Sequence, residues 1–165
     1  RCLRQGGGVT GSGMTARGKV PPLRLEVLDH GRPRTERKFL RRVVRAALLH
    51  GGRPAMPVSL LLTDDHEIAR IHGEYLDDPT PTDVISFDID DTAELVVSVE
   101  TARRIARECG HPVRSEVALY IVHGILHVCG FDDIAPRDRA RMRAAERAVM
   151  QTLRLDVRDV DADKP

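Results

Sequence analysis

From Leu23 to Leu28 apolar and charged positions alternate, with Leu23, Leu25 and Val27 on one side and Arg24 and Glu26 on the other, the two-residue period of a strand with one covered face. The period then lengthens. Phe39, Val43, Ala46 and Leu49 recur at helical spacing behind Thr35, a residue suited to cap a helix, and Gly51-Gly52 closes the segment. Val58 to Leu62 is the short apolar run of a buried strand. Asp64 or Asp65 then caps a helix carrying Ile68, Ile71 and Tyr75, until Pro79-Thr80-Pro81 breaks it. Val84 to Ile89 and Glu94 to Val99 flank an acidic turn, which predicts an antiparallel pair. A helix from about Glu100 to Cys109 ends at Gly110. Ser115 and Glu116 open a helix that is apolar nearly all round through Val117, Leu119, Ile121, Val122, Ile125 and Leu126, as a buried central helix must be. Pro136 suits the first turn of a last helix with Met142, Ala145, Val149 and Leu153 along its stripe. This order predicts an α/β (α+β) fold, one small mixed four-stranded sheet packed with about five helices.

Composition narrows the class. Residues 1–21, with Gly6-Gly7-Gly8 and Gly11-Ser12-Gly13, lack an apolar period and are expected to form a flexible tail; residues 158–165 are expected to fray. One domain is expected over 22–157, since 165 residues with 41% hydrophobic content suffice for one ordinary core. Met14 could be a natural start, and the stretch before it lacks the apolar core of a signal peptide. Aromatics make up 3% and tryptophan is absent, which disfavours a platform for stacking bases. Three scattered cysteines, Cys2, Cys109 and Cys129, without a CxxC pair, fit a reduced, cytoplasmic setting. No run approaches the roughly 18 apolar residues of a membrane span, so a soluble chain without a membrane partner is expected.

The net charge of +1 conceals segregation. Arg32, Arg34, Arg37, Lys38, Arg41, Arg42 and Arg45 crowd one segment, and Asp77, Asp78, Asp83, Asp88, Asp90, Asp91 and Glu94 another. Arg37, Arg41 and Arg45, one turn apart, could meet a phosphate backbone, although a charge run is also the ordinary dress of a solvated helix face.

The chemistry concentrates in the run His123-Gly124-Ile125-Leu126-His127-Val128-Cys129-Gly130-Phe131-Asp132-Asp133. Residues four apart share a helix face, so His123 and His127 can converge on one ion, and Gly130 can take the left-handed conformation that ends the helix. Asp133, three residues further on, can then supply an oxygen. Three protein ligands leave an open fourth position for water, the arrangement of a catalytic zinc, and zinc lowers the pKa of such a water toward about 7. The frame is HxxxHxxGxxD, a zinc-peptidase frame in which glycine replaces the glutamate general base and aspartate the last histidine. Gly124 can transfer no proton, so a peptidase is disfavoured. Cys129, two residues from His127 on a buried helix, reads as a packed thiol rather than a ligand.

At these residues the chain resembles the YbeY-type metal-dependent endoribonucleases of ribosomal RNA maturation. The resemblance covers roughly Leu23 to Leu155 in element order, and is most specific in the histidine run and in Pro81-Thr82-Asp83-Val84-Ile85-Ser86-Phe87. It implies that His123, His127 and Asp133 hold one Zn2+ per chain, with Asp133 standing where the family usually has a third histidine. It also marks a loss: where the family often has asparagine, arginine and aspartate ahead of the proline-threonine-aspartate motif, this chain has His72, Leu76 and Pro79. A guanidinium there would clamp a scissile phosphate, which Leu76 cannot do; Arg103, Arg104 or an arginine of the first helix could substitute. Asp83, Ser86 and Asp132 are expected to hold the ligands in place or to touch substrate, though Asp83 could equally hold a turn and Asp132 cap the helix end.

The function so implied is a zinc-dependent endoribonuclease cutting single-stranded ribosomal RNA at the 16S 3′ end, in maturation and quality control of the small ribosomal subunit, with Arg37, Arg41 and Arg45 as substrate contacts. The alternative is a non-catalytic ribosome assembly factor in which the metal only clips the central helix to the following loop.

Overall fold

The structure, a computed structural model, describes residues 20–31, 34–76 and 78–157. Of the tails expected at 1–21 and 158–165, residues 1–19 and 158–165 lie outside these residues, as do Cys2, Met14, Arg32 and Asp77. The elements are β1 (Leu25–Asp29), α1 (Arg37–His50), β2 (Val58–Thr63), α2 (Asp65–Leu76), β3 (Val84–Ile89), β4 (Thr92–Ser98), α3 (Val99–Cys109), α4 (Val113–Val128) and α5 (Pro136–Leu153). They form the expected α+β architecture. The sheet order is β1-β2-β4-β3, with β1, β2 and β4 parallel and β3 antiparallel to β4.

Strand alternation sorts the two faces of this sheet. Val58, Leu60 and Leu62 of β2 and Ala93, Leu95 and Val97 of β4 join the main core with α1, α4 and α5, whereas Ile85 and Val96 face Ile68 and Ile71 of α2. Both faces are covered, which explains the near-continuous apolar runs of these strands. Asp90 and Asp91, at φ 48° and 59°, make the left-handed turn that joins β3 to β4.

Several expectations shift by a residue or a face. The buried stripe of α1 is Leu40, Val43, Val44, Ala47 and Leu48, a wider i, i+3, i+4 pattern; Leu49 is exposed and Phe39 and Ala46 lie at its margin. Thr35 does not cap this helix. Glu36 occupies the N-cap without a side-chain bond, and the Thr35 amide donates to Asp29 Oδ2 (2.7 Å). β1 begins at Leu25 rather than Leu23, and α4 two residues before Ser115, behind Pro112. Tyr75 is exposed, with its ring against Phe87 at 5.6 Å, rather than part of the α2 stripe. Asp64 does cap α2, accepting from the Glu67 amide (2.8 Å).

Candidate metal centre

The site begins with a glycine that touches the sheet. A β-carbon on Gly124 would lie 2.6 Å from Leu95 Cδ2 and 3.2 Å from Val84 Cγ2, so α4 lies tight against strands β3 and β4 and any side chain here would have to displace the tip of Leu95. That contact sets the rotation of α4. At about 100° per residue, His123 and His127 then share one flank of the helix, turned from the sheet toward α5 and the following loop.

The end of α4 completes the arrangement. Gly130 has φ 103°, the Phe131 amide donates to the Leu126 carbonyl (3.0 Å) and the Gly130 amide to that of His127 (2.9 Å). This paired closure reverses the chain and returns Asp133 to the histidines. His123 Nε2 and His127 Nε2 lie 3.0 Å apart; Asp133 Oδ2 is 3.8 Å from the first and Asp133 Oδ1 3.6 Å from the second. Among the described residues these three form a group whose ligand atoms all fall within 4.8 Å of one another.

The remaining ring nitrogens test whether a metal fits. His127 Nδ1 donates to the Phe131 carbonyl (3.1 Å), which can only accept, and His123 Nδ1 meets the carboxylate of Glu146 (2.6 Å). In the neutral rings, with both Nδ1 atoms protonated, both Nε2 atoms carry lone pairs, and two lone pairs facing each other at 3.0 Å repel. A cation bound tetrahedrally at about 2.0–2.1 Å from each nitrogen would separate them by about 3.3 Å, close to the spacing present. The donor set therefore fits a divalent metal of the zinc type.

Electrostatics differ between the two rings. Burial works against the charged form of His123, yet the hydrogen bond and charge of Glu146, with Asp83 and Asp133 adding, raise its pKa above the ordinary value. Burial and the adjacent His123 lower that of His127, against the pull of Asp133 and the Phe131 carbonyl.

The other expected site residues are placed as follows. Asp83 opens β3, accepting from the Val84 amide (2.9 Å) and the Thr82 hydroxyl (3.1 Å), and reaches His123 only through its charge. Ser86 is buried beside Gly124. Asp132 accepts from the amides of Asp133 (2.7 Å) and Ile134 (3.2 Å), shaping the loop that presents Asp133. Cys129 stands outside the ligand group, and burial pushes its thiol up to about 11.

The arginines expected as substrate contacts are not gathered at the histidines. At their C-terminal ends α1 and α4 meet at Gly51 and Cys129; at their N-terminal ends Phe39 shares a cleft with Val113 and Val117. The two helices thus run in parallel, and Arg37 begins α1 about 20 Å along the axis from the end near the histidines. Arg45 donates to the Pro21 carbonyl (3.1 Å), and Arg41 is exposed between them. Arg103 lines that same distant cleft, and Arg104 donates to Thr101 Oγ1 (3.2 Å). Near the C-terminal end of α4, Arg53 donates to the Val128 carbonyl (3.2 Å), Asp88 (3.0 Å) and Asp91 (2.9 Å), Arg139 donates to the carbonyls of Asp133 (3.1 Å) and Ile134 (3.1 Å), and Arg141 lies over the Phe131 ring (5.0 Å).

Glu146 is the residue that sequence reasoning missed. Its signal was present: it falls at i+4 from Met142 and three before Val149, inside the spacing of the apolar stripe of α5, where a carboxylate needs a partner.

A family model described as endoribonuclease YbeY matches residues 29–154. Endoribonuclease YbeY of Heliobacterium modesticaldum is 38% identical over 112 residues, covering 57% of this chain and 68% of that protein. Its counterpart from Porphyromonas gingivalis is 33% identical over 126 residues, covering 74% and 83%. A Thermotoga maritima protein solved in solution matches with a TM-score of 0.58 over 86% of this chain and 99% of that one, at 21% identity, a likeness of fold alone.

Proposed function

The chain belongs to the endoribonuclease YbeY family, and from that premise we propose that it is a zinc-dependent hydrolase of single-stranded RNA, with His123, His127 and Asp133 holding the metal. The observation that carries this reading is the convergence of two imidazole lone pairs and a carboxylate while both outer ring nitrogens are already engaged. Zinc bound there would polarise a phosphoryl oxygen and lower the pKa of a water. Glu146 and the Phe131 carbonyl fix the tautomer and orientation of the two rings. Asp133, with 41% of its side chain exposed, stands at the rim, so the ligand group faces solvent and can be approached by a strand.

The substrate we assign is small-subunit ribosomal RNA near the 16S 3′ end, in maturation and quality control within the cytoplasm, carried by the domain over 22–157. Arg37, Arg41 and Arg45 are proposed as backbone contacts outside the cleavage centre. Among the described residues no helix is long and apolar enough to cross a membrane.

Leu76 in place of a guanidinium favours one other reading, an assembly factor in which the metal only clips α4 to its loop. Metal content, RNA cleavage and thermal melting of wild type, His123→Ala and Asp133→Ala separate the two. Loss of metal and of cleavage with little change in the metal-free melting temperature supports the hydrolase. Loss of the fold in Asp133→Ala, or wild-type cleavage without metal, overturns it.

A further inference from the structure

At the end of α4 away from the histidines, a cleft of about 490 Å³ opens between the start of α1, one face of α3 and the first turns of α4. Four guanidinium groups border it: Arg34 ahead of α1, Arg103 and Arg107 one turn apart on α3, and Arg114 on α4. Val99, Val113 and Val117 form an apolar floor with Phe39 beside them. Among the described lining residues Glu36 is the one carboxylate. Glu116 lies beneath and is paired with His111 at 2.6 Å, both side chains almost wholly buried. The cleft is therefore strongly positive over an apolar base. The first turns of α1 and α4 also open near it without side-chain caps, so their positive helix ends add to the same field.

This composition excludes a small apolar ligand and disfavours a cation. Planar guanidinium forks match phosphate oxygens in pairs, and an apolar floor can receive a ribose or a base between two phosphates. The first residue of α4 is ten residues before His123, about 15 Å along the axis, so a ligand here does not touch the metal ligands. We propose that this cleft is a second RNA site, which holds the phosphodiester backbone of a single-stranded segment outside the cleaved one. The proposal rests on RNA being the substrate, but its readout is binding rather than cleavage.

The variant is Arg34→Ala/Arg107→Ala/Arg114→Ala, three exposed positions, measured beside wild type and the corresponding triple lysine variant. Fluorescence anisotropy with a long single-stranded RNA at several salt concentrations gives affinity and salt slope. The alanine variant should bind at least about ten-fold more weakly, with the salt slope reduced by about 2, since each phosphate left without its arginine lowers the slope by about 0.7. The lysine variant should keep the slope and lose affinity through the missing forks. Cleavage of an oligonucleotide of a few residues, and metal content, should match wild type. Wild-type affinity and slope in the alanine variant would overturn the proposal, as would displacement of a polyglutamate probe but not of RNA. If the alanine triple does not fold, Arg107→Ala alone should reduce the slope by about 0.7. A wild type that binds RNA with the expected slope but cuts none refutes the hydrolase reading and leaves this site standing.

Discussion

Glu146→Ala removes one hydrogen bond, 2.6 Å long, and with it the group that holds the His123 ring. The carboxylate does two things for the ligand set: it fixes the Nδ1 proton, which leaves Nε2 free to bind a cation, and its charge makes that imidazole more basic. Partners of this kind are worth about 10- to 100-fold in metal affinity when removed. The side chain of Glu146 is 16% exposed and that of His123 27%, so water can replace part of the lost bond in the variant. The expected loss is therefore intermediate, about 30-fold, or about 2 kcal/mol. Glu146→Gln keeps an acceptor oxygen and loses only the charge, and should stay near about ten-fold. Competition for zinc against a coloured chelator, at fixed pH, measures both variants beside wild type, with His127→Ala as the case in which a ligand itself is gone. Metal-free melting curves show whether the fold is unchanged. An alanine variant within about two-fold of wild-type zinc affinity would refute the reasoning, because Glu146 would then be an incidental ion-pair partner.

The other predictions concern the frame around the site. Gly124→Ala should cost about 1 kcal/mol in denaturant unfolding, the overpacking against Leu95 and Val84 exceeding the gain in helix propensity, and Gly124→Glu should not fold; a stably folded glutamate variant would contradict the packing argument. Arg53→Ala loses the Val128 carbonyl and two ion pairs, one of them to an Asp91 that is 92% exposed, so unfolding experiments should show about 1 kcal/mol and no more. Burial raises the Cys129 thiol from an ordinary 9 to about 11, so at pH 8 the native protein should alkylate there about 100-fold more slowly than the denatured chain, as mapped by mass spectrometry, and the rate should rise with pH up to that value.

What was legible in the chain was whatever local chemistry decides. Gly130 ends α4 with a positive φ because only a glycine turns so easily there, and the spacing from His127 to Asp133 presupposes that turn. The acidic hairpin, the proline that opens α5 and the cap at Asp64 are local in the same sense. Less legible was whatever depends on a partner distant in sequence. Glu146 looks like one more acid on a charged helix until α5 is laid beside α4, 23 residues from His123. The α1 stripe lies one position from the expected one at both ends, because Phe39 and Leu49 also lie at helical spacing and only the packed neighbours show that Leu40 and Leu48 point inward. The α1 arginines are expected as substrate contacts on charge alone. Two helices lying side by side share one end only, and Arg37 stands at the other.

The glycine after the first histidine carries the deeper constraint. In a zinc peptidase that position holds the general base, so it must face the ion and its substrate. Here α4 is turned so that the same position lies against Leu95, Val84 and Ser86, where even a β-carbon would push aside the tip of Leu95. The rotation that closes this contact also directs His123 to Glu146 and His127 to the Phe131 carbonyl, so sheet packing and ring orientation are one geometric condition. The third proposed ligand escapes it. Asp133 comes from a loop whose shape is held by Gly130 and by the Asp132 carboxylate, and its side chain is 41% exposed. A proposed ligand on such a loop has only to reach the other two, so a change between aspartate and histidine there would leave the core undisturbed. The same logic denies that freedom to His123 and His127, whose helix is buried on its remaining sides.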